Sequence, residues 1–126
     1  MIRVARQKAA RWRSGWPRRV IGLVPVGTAA YGRDGVTLAE RVDPGIVLMD
    51  VTMPGMSGID ATRQLLEARP SARVLVFSAE VRRDVLSSAR KAGAAGFVRK
   101  GCRESEVIRA IRAVMAGRPV WPAPLC

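Results

Sequence analysis

The chain has 126 residues, 48% of them hydrophobic and 25% charged, which suits one globular domain and leaves no room for a second. Its net charge is +12, and its two cysteines, Cys102 and Cys126, stand without any histidine, which excludes a disulfide scaffold, a Cys/His zinc site and histidine acid/base chemistry. No apolar run approaches the roughly 20 residues that cross a bilayer and no signal-peptide pattern occurs, so a cytoplasmic protein without membrane contact is expected.

The charge is unevenly placed. Arg3, Arg6, Lys8, Arg11, Arg13, Arg18 and Arg19 all precede the first carboxylate, Asp34. Residues 1–22 therefore read as an atypical basic segment, either solvated, or binding nucleic acid non-specifically through phosphates, or shaped like an Arg-rich transit peptide. Within it residues 1–5 are the run able to form a first strand, although residues 20–24 compete for that place. Ala5, Ala9, Trp12 and Trp16 fall at helical spacing before Gly15 and Pro17 interrupt them.

From Leu23 onward, apolar runs alternate with helical periodicity. Residues 23–30 read as a strand that Pro25 confines to a sheet edge. Residues 32–42 put Val36, Ala39 and Val42 on one helical face, stopped by Asp43 and Pro44. Ile46–Asp50 is a strand with no polar alternation, so both of its faces should be buried. A helix over 59–68 turns Leu65 and Leu66 inward and ends before Pro70. Residues 73–78 form another buried strand, and 81–92 a helix closed by Gly93. Residues 96–100 form a short strand, and 104–116 a helix with Val107, Ile108, Ile111, Val114 and Met115 inward, ended by Gly117. Repeating units of this length predict an α/β fold with a parallel sheet covered on both faces.

In such a sheet, chemistry gathers at the carboxyl ends of the strands. Asp50, Ser78 and Lys100 close three consecutive strands there, and a carboxylate, a hydroxyl and an ammonium on one rim suit phosphoryl transfer. Each taken singly is a polar residue where a strand surfaces; the three together favour a site. No GxxxxGK[ST] string occurs, so a P-loop enzyme is not supported.

The string Asp50, Val51, Thr52, Met53, Pro54, Gly55, Met56, Ser57, Gly58, with Ser78 and the run from Gly96 to Lys100, resembles the receiver domain of two-component response regulators, in particular the NarL/FixJ subfamily. The resemblance covers residues 23–120, with 121–126 a tail or the start of a linker. It implies a flavodoxin-like, doubly wound parallel five-stranded sheet in the order 2-1-3-4-5, here with a short or degenerate first strand. It further implies Asp50 as phosphoacceptor, Ser78 and Lys100 as phosphoryl contacts, Ser78 and Phe97 as the switch, and magnesium held by Asp50 and the Thr52 backbone carbonyl. A sensor histidine kinase would be the partner, a homodimer is compatible, and the domain itself is not an enzyme.

The pattern departs from the family upstream of Leu23. Where members carry an acidic pair after the first strand, this chain has Arg6, Gln7 and Lys8. Magnesium wants near-octahedral oxygen ligands, so it should bind weakly here. Lys8 is a candidate to hold Asp50 in a permanent ion pair, and a shifted reading frame is an alternative origin for residues 1–22. Two functions follow: a phosphorylation-switched domain serving signal transduction and transcription regulation, or a pseudo-receiver acting as a docking or dimerisation module. No DNA-reading element is expected in these residues, so the chain reads as a stand-alone receiver, a truncated product or an excised domain.

Overall fold

The computed structural model describes residues 2–7, 23–29, 45–52, 57–79 and 81–121. The strands are β1 (Ile2–Gln7), β2 (Leu23–Ala29), β3 (Ile46–Asp50), β4 (Val74–Ser78) and β5 (Gly96–Arg99), and the helices are α1 (Gly58–Ala68), α2 (Arg83–Ala92) and α3 (Glu104–Met115). The helix expected over 32–42, the turn at 53–56, the tryptophans at 12 and 16 and the tail at 122–126 lie outside the described residues.

The five strands make one sheet in the order β2-β1-β3-β4-β5, the order that the family resemblance implies. β3, β4 and β5 are parallel, with Asp50 level with Phe77 and Ser78 level with Arg99. β1 takes the central place but runs antiparallel to both neighbours, Ile2 facing Met49 and Ala5 facing Ile46. β2, antiparallel to β1 in turn, therefore runs in the sense of β3. An antiparallel neighbour needs no long crossover, whereas a parallel one needs a dozen or more residues, usually helical. The expected helix beginning at Ala5 is corrected at its start, since Ala5, Arg6 and Gln7 belong to β1. Pro25 sits on the edge strand, where its missing N–H costs no central ladder bond, beside a register shift in which Gly27 faces Val4 and Pro25 faces Ala5.

The absence of polar alternation in β3 and β4 is explained by helices on both faces. On one face Ile46, Leu48, Leu75, Phe77 and Val98 pack with Val107, Ala110, Ile111 and Val114 of α3. On the other, Val47, Met49, Val74, Val76 and Phe97 pack with Ala61 and Leu65 of α1 and Ala89 of α2. Odd and even strand positions thus serve different cores, and every residue of β4 is buried. Of the apolar positions predicted inward on α3, Val107, Ile111 and Val114 are buried, while Ile108 and Met115 are partly buried against the same core. Arg73, just before β4, donates from Nη1 to the Met115 carbonyl at 2.8 Å, satisfying a helix end that carries negative partial charge. Cys102 is disulfide-bonded, a single crosslink at the margin of a core built by apolar packing.

Candidate functional site

Three parallel strands deliver polar residues to one rim of the sheet. Asp50 ends β3, Ser78 ends β4, and Lys100 follows the last residue of β5. The Lys100 N–H donates to the Ser78 carbonyl at 2.7 Å, which extends the β4–β5 ladder by one residue and fixes the root of the lysine. From there its ammonium crosses over β4 and donates to Asp50 Oδ2 at 2.5 Å. The Thr52 N–H donates to the other carboxylate oxygen, Oδ1, at 3.0 Å, a turn-forming contact two residues along the chain. Ser78 itself is buried at the head of its strand.

The carboxylate is mostly enclosed, with 18% of the Asp50 side chain exposed against 44% for Lys100. Burial pushes the Asp50 carboxyl up, but the hydrogen bonds from Lys100 and Thr52 outweigh it and hold the group below its ordinary value. Asp50 is thus ionised at neutral pH, with a cation on one oxygen and a backbone amide on the other.

The loop leaving Asp50 is clamped from above. The Val51 N–H donates to the Phe77 carbonyl at 2.8 Å, and the Gly58 N–H to the Val51 carbonyl at 2.9 Å. Ser57 caps α1 by accepting the Asp60 N–H at 3.1 Å, so the helix begins directly over this loop. A Cβ on residue 58 would stand 2.0 Å from the Asp50 carbonyl oxygen and 2.9 Å from the Val51 Cα, so only glycine lets the helix start so close. Sequence reasoning quoted Gly58 as part of the motif and gave it no role. The usable signal was a glycine one place after an N-cap serine, where helix conformation has no need of one.

The structure therefore brings Asp50, Thr52, Ser78 and Lys100 to one rim and keeps Phe97 apart. Phe97 is 1% exposed, inside the core shared with α1 and α2, three residues before Lys100. Lys8, the candidate ion-pair partner, lies outside the described residues; β1 itself passes from Ile2 beside Met49 to Ala5 beside Ile46. Among the described residues, Asp50 pairs with Lys100. Among the described residues no group of three or more His, Cys, Asp or Glu side chains is placed to hold a metal ion, and no helix is long and apolar enough to cross a membrane.

A doubly wound α/β sheet with an acid, a hydroxyl and a lysine at the carboxyl rim defines the receiver class of signalling domain. The chain belongs to the response regulator receiver domain family, whose profile matches residues 20–112. It is 42% identical over 97 residues to the response regulator GacA of Pseudomonas aeruginosa, covering 77% of this chain and 45% of that protein. It is 34% identical over 107 residues to the nitrate/nitrite response regulator protein NarL of Escherichia coli, covering 82% of this chain and 50% of NarL. Its fold is similar to the crystal structure of a LuxR-family two-component response regulator from Aurantimonas, with a TM-score of 0.72, 36% identity, and 76% of this chain and 68% of that one covered. The chain is a two-component receiver domain of the NarL/FixJ type, a signal-transduction module, and it spans about half the length of these two relatives. The family match starts at residue 20, so the antiparallel β1 lies outside it.

Proposed function

We propose that this domain acts by phosphoryl transfer to Asp50, with Ser78 and Lys100 contacting the phosphoryl group and Ser78 and Phe97 carrying the switch. The observation that supports this most is the Asp50 carboxylate, ionised, enclosed and held by Lys100 at 2.5 Å at the end of a buried strand. In the transfer, an Asp50 oxygen attacks the phosphorus of a phosphohistidine on a sensor histidine kinase, the P–N bond breaks, and the imidazole leaves with a proton from solvent. Lys100 shifts from the carboxylate to the new phosphoryl oxygens, and the Ser78 hydroxyl donates to one of them. The domain in this reading works in the cytoplasm, catalyses no turnover of its own and feeds transcription regulation. Residues 23–120 form the receiver, and 1–22 stand where the usual first strand and helix would be.

The magnesium that the family resemblance implies does not fit this rim well. Asp50 Oδ2 already accepts from an ammonium and Oδ1 from an amide, and among the described residues no group of three or more acidic, histidine or cysteine side chains is placed to hold a metal there. A cation that wants six oxygens and sheds water reluctantly gains little there, so we infer weak magnesium binding and slow transfer. The same ion pair, with its cation already in place, favours a second reading, a phosphorylation-independent docking or dimerisation module. Mass spectrometry after incubation with acetyl phosphate, at graded magnesium, separates the two. One phosphoryl group added to the wild type and absent from Asp50→Asn supports the switch; no adduct at any magnesium concentration supports the docking module.

A further inference from the structure

Residues 118–121 run along the outer edge of β5. Val120 forms a parallel bridge with Gly96. The Phe97 N–H donates to the Val120 carbonyl at 2.8 Å, and the Val120 N–H to the Ala95 carbonyl at 3.2 Å. Trp121 then packs against the core that contains Phe97, and the Arg90 guanidinium of α2 lies 4.6 Å from the centre of its ring. The approach is this close because residue 96 has no side chain, a Cβ there standing 2.6 Å from the Val120 carbonyl oxygen. Toward its start, the segment borders a cleft of about 300 Å³ lined in part by Arg118, Pro119, Ala94 and Ala95, and Arg118 and Pro119 are exposed. The segment is held by the two Val120 backbone hydrogen bonds, by the Trp121 ring, by the Val120 side chain packed against the core that contains Ile111, and at its root by the Arg118 N–H, which donates to the Ala113 carbonyl at 2.9 Å.

β5 has only four residues. Its first half carries this attachment, and the residue following its last holds Asp50. The Phe97 side chain fills the core behind the rim, while its amide holds the segment. A displacement of Lys100 thus acts on a short, stiff unit that ends in the Val120 contact.

We propose that residues 118–121 are a releasable sixth edge strand, a strap whose docking on β5 and α2 is coupled to the state of Asp50 through Lys100 and Phe97. The inference rests on Asp50 as the controlled residue, but the coupling runs through the ion pair and needs no phosphodonor to be measured. Loss of the Asp50 charge frees Lys100, loosens the end of β5 and shifts the strap toward the undocked state. Because such coupling is reciprocal, undocking the strap must loosen the contacts of Asp50 by the same factor.

Amide hydrogen exchange followed by NMR on the full chain tests this with Asp50→Asn, Lys100→Ala and Trp121→Ala. The first two variants are expected to speed exchange of the Phe97 and Val120 amides by about tenfold, within the usual range of coupling between sites, while the Leu65 amide of α1 keeps its rate. Trp121→Ala is expected to speed exchange of the Thr52 amide, which is bonded to Asp50, by a similar factor. Unchanged Phe97 and Val120 rates in both charge variants overturn the coupling, and so does a uniform rise that includes Leu65. If acetyl phosphate fails to modify Asp50 while the variants respond as expected, the strap stands and phosphorylation falls. If Asp50 is modified and neither variant responds, the strap alone falls.

Discussion

Lys100 Nζ and Asp50 Oδ2 meet at 2.5 Å across a separation of fifty positions in the chain, with a whole strand lying between their own strands. Removing the lysine takes away the nearer cation and leaves burial opposed by the Thr52 amide and the charge of the N-terminal amino group. Lys100→Ala is therefore expected to raise the Asp50 pKa, read by NMR titration of its carboxyl carbon. The sign for stability follows. A depressed folded pKa contributes stability that is complete above the unfolded value and is lost as pH falls through the folded one. The wild type should thus lose stability in acid more steeply than Lys100→Ala, while near neutral pH the pair, whose lysine is largely solvated, contributes no more than about 1 kcal/mol in urea unfolding.

Gly58 and Ser57 hold the same loop by different means, and their substitutions should separate. Ser57→Ala removes one N-cap acceptor and is expected to cost about 1 kcal/mol. Gly58→Ala drives a methyl group into the Asp50 carbonyl oxygen and must move backbone, with an expected cost of about 1–3 kcal/mol. Urea midpoints rank the two. The Thr52 and Val51 amide shifts in an NMR spectrum should move in Gly58→Ala and stay in place in Ser57→Ala. Equal perturbation of those amides by both variants would contradict the clamp.

The two isoleucines of α3 make a paired test of the core. Ile111 is 1% exposed among Ile46, Leu48 and Leu75, whereas Ile108 packs partly against the same cluster. Ile111→Ala is expected to cost about 2–5 kcal/mol and Ile108→Ala clearly less, measured by chemical denaturation at one pH.

β3, β4 and the helices that follow them were legible because burial on both faces leaves unbroken apolar runs for strands and a single apolar stripe for each helix. The rim residues were legible for the same reason: once the strand ends are placed, Asp50, Ser78 and Lys100 fall together. Lys100 was read as a contact of the phosphoryl group and not as the ion-pair partner of Asp50, because a side chain reaching across an intervening strand leaves no local pattern. Trp121 read as tail, since one bridge residue has no periodicity, yet it packs against the Phe97 core. Small buried residues such as Ala61, Ala89 and Ala110 carry the close helix contacts, and alanine announces itself in sequence as helix former rather than as core.

The direction of β1 was illegible for a different reason. A strand's period of two is the same read forward or backward, so a six-residue segment carries no mark of its sense, and only its partners decide. The direction matters to the site, because a parallel β1 would end beside Asp50 and an antiparallel one starts there. The two arrangements differ in a measurable way. In antiparallel pairing, residues at alternate rungs bring their Cα atoms to about 4.5 Å, and their Hα atoms into close contact. Nuclear Overhauser spectra are therefore expected to show direct Hα–Hα contacts at alternate members of the pairs Ile2–Met49, Arg3–Leu48, Val4–Val47 and Ala5–Ile46. A parallel strand would give no such series. It would also bring Gln7 toward Asp50, where the antiparallel register puts it beyond Ile46 at the opposite end of the sheet.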